Sequence, residues 1–321
     1  SHGTPLGSFG FAYVGPTGRL ASVTYPNGQS TSYAYHPVSG DLRVQEILHR
    51  DPANATLLRF QYTYDVEGNV QTWSRQVGSS AAQVWQYGYD AVDQVLSASL
   101  ATPNGPPQPD RYAWSYDAAG NRTLEQVDGV GLASSYDGRN RLTTRQASPQ
   151  VLVRGVLNEP GTVTANGQPA TMTSGTGFET QATPQGVNRQ VQVQATDTTL
   201  QVRTNTYQVP AGSASTTTFT HDADGNLTFD GVRTYEWDAV NRLTRVTQGA
   251  TELARFRYFG SQRVEKVAGG VTTQYVWDGD ELAEERQSTG TTARLYHGLW
   301  IDHHLARQNQ TGAASYYLSD H

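Results

Sequence analysis

Apolar and polar positions alternate with a period of two, and the apolar positions are mostly aromatic. Phe60-Gln61-Tyr62-Thr63-Tyr64 and Tyr112-Ala113-Trp114-Ser115-Tyr116 are clear stretches. That period sends successive side chains to opposite faces of an extended strand, giving one aromatic face and one polar face. Each stretch ends in an aromatic-Asp pair, then a turn, then a shorter strand such as Leu142-Thr143-Thr144-Arg145 or Leu243-Thr244-Arg245-Val246-Thr247. Each unit therefore predicts a β-hairpin that must stack on its neighbours to bury its aromatic face.

The units repeat one short phrase: aromatic, Asp, two variable residues, Gly, Asn or Arg, then an apolar residue. Clear copies place Tyr64, Asp65, Gly68 and Asn69, then Tyr116, Asp117, Gly120 and Asn121, then His221, Asp222, Gly225 and Asn226 in these slots. A second form puts Asp or Asn in the Gly slot: Tyr89, Asp90 and Asp93; Tyr136, Asp137, Asn140 and Arg141; Trp237, Asp238, Asn241 and Arg242. Weaker copies run from Tyr13 to Leu20, Tyr35 to Leu42, Tyr258 to Val264 and Trp277 to Leu282, and around Tyr296 and Tyr316. A tight turn needs a positive φ, which Gly adopts freely and Asn or Asp at little cost. The Asp side chain closes such a turn by accepting backbone N–H groups. The repeated residues read as structural turn chemistry.

Composition narrows the function classes. With 36% hydrophobic residues, the core must draw on the 18 Tyr, 6 Trp and 8 Phe. A net charge of -6, a lone lysine at Lys266 and scattered arginines argue against nucleic acid. With no cysteine there is no disulfide framework, zinc-thiolate site or thiol nucleophile. No apolar run reaches the length of a membrane span or a signal core, and the opening Ser1 suggests a processed or excised piece.

The repeated phrase resembles the YD repeats of the Rhs family, found also in the BC components of insecticidal Tc toxins and in teneurins. The resemblance covers roughly residues 10 to 146 and 216 to 321. It implies an all-β fold in which YD hairpins join one sheet that spirals into a shell or barrel. It further implies a secreted or cell-surface bacterial protein, toxin-associated, whose shell encloses a C-terminal cargo polypeptide, or, as in teneurins, serves adhesion. Family shells end in a D-P-x-G-x-x-x-G signature that supports self-cleavage. The last residues here, Tyr316-Tyr317-Leu318-Ser319-Asp320-His321, resemble the segment upstream of it, so no self-cleavage residue carries over.

The repeat stops between Ser148 and about Ser215. Short alternating strands there, including Val151 to Val156, Gln190 to Asp197 and Thr204 to Val209, are separated by Asn-Gly and Pro turns. They suggest a small β-sandwich of ~65 residues. The segment resembles the bacterial Ig-like inserts of some Rhs-family proteins, with Pro210 to Ser215 as the return linker. The expected division is thus 1–147 repeat region, 148–215 insert and 216–321 repeat region continued.

Candidate chemistry is sparse. His297, His303, His304 and His321 lie near Asp302 and Asp320, but adjacent His303 and His304 would point to opposite faces of a strand. Asp222-Ala223-Asp224-Gly225-Asn226 starts like a calcium loop, yet Leu227 and Arg233 occupy the slots that need Gly and Glu. Asp278, Asp280, Glu281, Glu284 and Glu285 read as solvated turn charge rather than a glycosidase pair. No standard catalytic motif is present, so neither catalytic residue, metal nor cofactor is expected. The expected role is a non-catalytic shell segment that encloses cargo or self-assembles. The competing expectations are a glycan- or partner-binding module, if Trp73, Trp85, Trp114, Trp237, Trp277 and Trp300 are exposed, and a filament joined through open β-edges.

Overall fold

The computed structural model describes residues 2–101, 112–212, 215–288, 290, 292–298 and 304–318. The chain is all-β, and the strands of its repeat regions follow one another as antiparallel neighbours in chain order. Residues 1–84 and 222–321 form one compact unit, and residues 85–221 form a second.

In the first unit the N-terminal strands run from His2–Thr4 to Val70–Val77, and the C-terminal ones from Leu227–Phe229 to Ala314–Tyr316. Thr56–Tyr64 carries the alternation forward, with Phe60 buried, Tyr62 and Tyr64 half-buried, and Gln61 and Thr63 exposed. The two parts of this unit meet in one apolar cluster of Phe9, Val23 and Tyr25 with Leu305 and Ala306. Tyr316 packs beside it, its ring 6.1 Å from Phe9 and edge-on to Tyr25 at 5.9 Å. Such tilted pairs of rings favour edge-to-face contact over stacking. Behind Tyr25 a buried polar chain joins its hydroxyl to that of Thr31 at 3.2 Å, and Thr31 to His49 Nδ1 at 2.8 Å.

In the second unit Val95–Ala101, Tyr112–Tyr116, Arg122–Val127, Val130–Tyr136 and Leu142–Ala147 pair in order. The chain then leaves the repeat and returns at Thr217–Thr218, which pairs with the strand it left, Leu142–Ala147. Between these points lie two small sheets. One orders Val151–Val156, Gly177–Ala182 and Thr171–Ser174; the other orders Gln168–Pro169, Gly161–Ala165, Gln190–Asp197 and Val202–Gln208. Val151, Ala165, Ala182 and Val191 fill the core between them.

The division of each repeat strand into an aromatic and a polar face fails at Tyr112–Tyr116. Ala113 is its buried residue, while Tyr112, Trp114 and Tyr116 are half-buried. The reason is the insert, whose Leu152 packs on Ala113 and Leu124 and covers the face opposite the rings. The seat is built for close approach: a Cβ on Gly131 would stand 2.8 Å from the carbonyl oxygen of Gln150.

Polar groups fix the insert on that seat. The Gln126 amide accepts from the Leu152 N–H at 2.9 Å and donates to the Leu152 carbonyl at 3.3 Å, satisfying one residue of a strand edge. Arg154 donates to the carbonyls of Leu96 and Trp114, the latter at 2.7 Å, and pairs with Glu179 at 2.8 Å. Its side chain is only 14% exposed, so truncation strands two carbonyls and a carboxylate. Arg154→Ala should destabilise the second unit by about 3 kcal/mol. Urea denaturation should register the loss, and hydrogen exchange should show the Leu152 amide deprotected before those of Leu142–Ala147.

Candidate functional site

The repeated residues build the same kind of turn in each copy. In the Tyr64 copy the Asp65 N–H donates to the Asn69 carbonyl at 3.0 Å and the Gly68 N–H to the Asp65 carbonyl at 3.3 Å. Asp65 Oδ1 also accepts the N–H groups of Gly68 and Asn69, both at 2.8 Å. The same carboxylate oxygen takes Val92 and Gln94 in the Asp90 copy, Ala119 and Asn121 in the Asp117 copy, Arg139 and Arg141 in the Asp137 copy, and Val240 and Arg242 in the Asp238 copy. In the His221 copy Asp222 accepts the N–H of Asn226 at 2.8 Å. The positive φ falls on one slot throughout, at Gly68 (103°), Asp93 (62°), Gly120 (82°), Asn140 (61°), Gly225 (96°) and Asn241 (62°). This is a hairpin loop that ends in a left-handed residue, and it explains why the slot alternates among Gly, Asn and Asp.

A bulge lies beside the turn in the Tyr64, Tyr116, Tyr136 and Trp237 copies and in two of the weaker ones. Thr63 faces Thr72 but Tyr64 faces Val70, leaving Gln71 as the extra residue. The same shift follows Ser115, Ser135, Glu236, Arg257 and Val276. Where the extra residue is threonine its hydroxyl caps the defect, Thr143 donating to the Ser135 carbonyl and Thr244 to that of Glu236, both at 3.0 Å. A bulge bends the strand and increases its twist, so curvature enters at these repeats.

The aromatic slot does more than bury a ring. Tyr35 donates its hydroxyl to the Leu20 carbonyl at 2.8 Å, Tyr64 to Val44 at 2.9 Å, Tyr116 to Val95 at 2.8 Å, Tyr136 to Arg122 at 2.9 Å, and Tyr258 to Leu243 at 2.9 Å. Trp237 and Trp277 do the same with their indole N–H groups, to Leu227 and Arg263 at 2.8 and 2.9 Å. His297 Nε2 lies 2.7 Å from the Leu282 carbonyl. The acceptor is the first or second residue of the strand after the preceding copy's turn, so each of these rings ties its hairpin to the one before. Burial raises the Tyr35 and Tyr64 hydroxyls above their usual range, against the pull of Arg19 and Arg43.

Neighbouring turns are also joined side by side. Asn121 Nδ2 donates to Asp117 within its own turn and to Asn140 Oδ1 of the next, both at 2.9 Å. Asn226 Nδ2 bridges Asp222 and Asn241 in the same way. Tyr89 ends the strand Gln83–Tyr89 half-buried, and His221 ends the short strand Thr220–His221, also half-buried. One further copy of the turn sits in the insert, where Asp197 Oδ1 accepts Thr199 and Gln201 at 2.8 Å. There Leu200 takes the left-handed slot at φ 67°, a conformation that disfavours a branched side chain. Sequence reading missed it because no aromatic precedes the Asp and no Gly or Asn marks the turn.

The other candidates resolve into structural pairings. His297 Nε2 meets the Leu282 carbonyl, and its Nδ1 lies 2.9 Å from Glu281. Glu284 pairs with Arg286 at 3.2 Å and Glu285 with Arg307 at 3.0 Å, and the two glutamates are adjacent on one strand. Asp222 spends its carboxylate on Asn226, leaving the calcium-like loop without a free first ligand. Trp73 stacks on Phe60 at 6.3 Å, and Trp114 on Tyr112 at 5.8 Å. Trp73, Trp85, Trp114, Trp237 and Trp277 are half-buried, which is neither the exposed platform nor the sealed interior that would decide for or against ring-mediated binding. Trp300, Asp302, His303, Asp320 and His321 lie outside the described residues.

Comparison with known proteins adds modest likenesses. No protein-family model matches the chain. Over 65 residues, 19% of the chain, it is 40% identical to the tRNA nuclease WapA of Bacillus subtilis (strain 168), and equally to the tRNA(Glu)-specific nuclease WapA of Bacillus subtilis subsp. natto (strain BEST195). The chain spans 3% of the length of these relatives. Among solved structures, TcdB2-TccC3-Cdc42 aligns with 94% of this chain and 18% of its own, at 13% identity and a TM-score of 0.33. TcdB2-TccC3 aligns with 92% of this chain and 23% of its own, at 12% identity and a TM-score of 0.17.

Two outcomes follow from the turn geometry. Tyr64→Phe keeps the ring and removes one donor, leaving the Val44 carbonyl without its partner, and should cost about 1 kcal/mol in urea denaturation. The side chain of Arg141, then its N–H and that of Arg139, holds the Asp137 carboxyl at about 2 rather than the usual 3.8. A depressed folded-state value stabilises the fold when the carboxyl is ionised, so this contribution is whole above pH 4 and is lost as pH falls from 4 toward 2. Asp137→Asn should therefore lower stability at pH 7 and match the wild type near pH 2, as measured by denaturation at both.

Proposed function

We propose that this chain is a non-catalytic wall segment of an Rhs-type YD-repeat shell, secreted or displayed by a bacterium, with the segment at 148–215 acting as an Ig-like brace. The observation that carries this reading is the use made of the repeated side chains. Asp, Asn and aromatic slots spend their hydrogen bonds on the backbone or on the next turn, so the motif builds a wall and presents no reactive group. The bulges beside these turns support a curved wall over a flat one. The 65-residue likeness to proteins named as tRNA nucleases fits the same division of labour, since it spans 3% of those chains and leaves the rest of their length for the named activity.

On this reading the wall encloses a polypeptide cargo, and its partners are that cargo and further lengths of wall. Among the described residues no helix is long and apolar enough to cross a membrane. Against a glycan-binding role stands the engagement of Trp237 and Trp277 at their indole N–H groups, which leaves only their half-buried faces for a sugar. Single-particle electron microscopy of the purified chain should show curved walls about one sheet thick. Solid globules, with no concave side, would sink the shell reading.

A further inference from the structure

The insert leaves one long strand open on its outer side. Val202–Gln208 is the edge of its four-stranded sheet, and all seven residues are exposed. Its register on Gln190–Asp197 is continuous from Gln190↔Gln208 to Thr196↔Val202. Gln192 turns its N–H and carbonyl to Asn166 on the far side, so Val191, Val193 and Ala195 turn theirs to Tyr207, Asn205 and Arg203. In an antiparallel ladder these directions alternate, leaving the N–H and carbonyl groups of Val202, Thr204, Thr206 and Gln208 on the open edge. Edges of this kind are commonly protected by proline, lysine, a bulge or an overlying element. This strand has no proline, lysine or bulge, its one charged side chain is Arg203, and among the described residues no strand pairs with its outer side.

We infer that this edge pairs antiparallel with the same strand of a second copy of the chain, about a two-fold axis through Asn205. The inference is independent of the shell reading. The strand Val202-Arg203-Thr204-Asn205-Thr206-Tyr207-Gln208 complements itself in that register. Thr204 falls opposite the second copy's Thr206, and Val202 opposite its Gln208, so all four open-edge residues meet open-edge residues. Arg203 falls opposite Tyr207, setting a guanidinium beside a phenol ring in both halves of the dimer. Arg203, Asn205 and Tyr207 also line a 510 Å³ cleft with Arg154, Val156 and Phe178, so the side chains of this face border open space. A one-residue slip would oppose Arg203 to Thr206 or to Gln208 and break the match. The two-fold closes the edge, so pairing stops at two copies.

The chain has no cysteine, so a single introduced thiol reports the axis cleanly. Asn205 would sit across from itself in a non-hydrogen-bonded pair, at about the 4.5 Å Cα separation that a disulfide spans. Asn205→Cys should form a disulfide dimer on mild oxidation at least tenfold faster than Val187→Cys, a fully exposed position off the strand. In sedimentation the wild type should pass with concentration from 35.0 kDa toward twice that mass. Thr206→Pro removes one open-edge donor without touching the inner ladder, and should weaken the dimer roughly tenfold or more. Arg203→Glu should weaken it, and adding Tyr207→Arg should restore it by placing opposite charges in register. A wild type that stays at 35.0 kDa at every concentration, or equal oxidation of the two cysteine variants, would overturn the inference.

Discussion

The bond from each ring tip to a carbonyl in the preceding hairpin is the interaction on which the repeat regions depend. Both faces of most repeat strands are half-exposed, and the buried clusters are small and local. Burial then supplies only part of what holds hairpin to hairpin, because a side chain open on one side keeps much of its surface in water. A directed bond from a half-buried ring adds what area cannot: it specifies which carbonyl the next hairpin must reach. Tyr, Trp and His fill the slot interchangeably because each is an aromatic body with a donor at the end remote from the backbone. Phe lacks the donor and is absent from the slot in every copy whose bond is described.

That bond is satisfied only if the acceptor is held still, and the aspartate turn does this. Two amides on one carboxylate fix the loop, the loop fixes the bulge, and the bulge sets the residue whose carbonyl the next ring meets. The chain of dependence runs through geometry, so its parts are coupled. Loss of an aspartate frees a turn, and a freed turn moves the acceptor of a ring some 10 to 21 residues further on. Arg141 and Arg242 reinforce the same carboxylates in two copies where Asn replaces Gly, at 2.7 Å in each. The stronger partner stands where the backbone is the less compliant.

The sequence made the hairpins legible because alternation and turn residues are carried by side chains. The slots of Asp65, Gly68 and Asn140 announce their conformations through residue type. The bonds between hairpins were not legible, since their acceptors are backbone carbonyls under Leu20, Val44, Val95 or Arg263, residues with nothing in common. The bulge was hidden for the same reason: Gln71, Thr123 and Ala283 occupy it alike. The seat of the insert left a faint trace, in Ala113 and Gly131 on strands otherwise rich in large residues. The aromatic alternation outweighed that trace, and the face was read as polar when it is covered. Arg154 gave no signal, because an arginine that caps backbone carbonyls is indistinguishable in sequence from one at the surface.

The contrast between repeat and insert shows how each treats its open backbone. In the repeats every strand of the interior has a neighbour supplied by the next hairpin, so chain order itself protects the edges. The insert cannot use that device, because its strands do not follow one another around a meander; the sheet containing Gly161–Ala165 interleaves segments from both ends of the insert. Such an arrangement always leaves outer strands, and the molecule treats two of them differently. Val151–Val156 has its edge bound to the repeat strands, by Gln126 at Leu152 and by its own Arg154 reaching outward to Leu96 and Trp114. Val202–Gln208 has no such filling, although it is as long and as rich in strand-forming residues. An edge blocked by side chains of the chain's own repeat strands is committed to them. The unblocked edge retains a seven-residue set of backbone groups that a second polypeptide can match strand for strand.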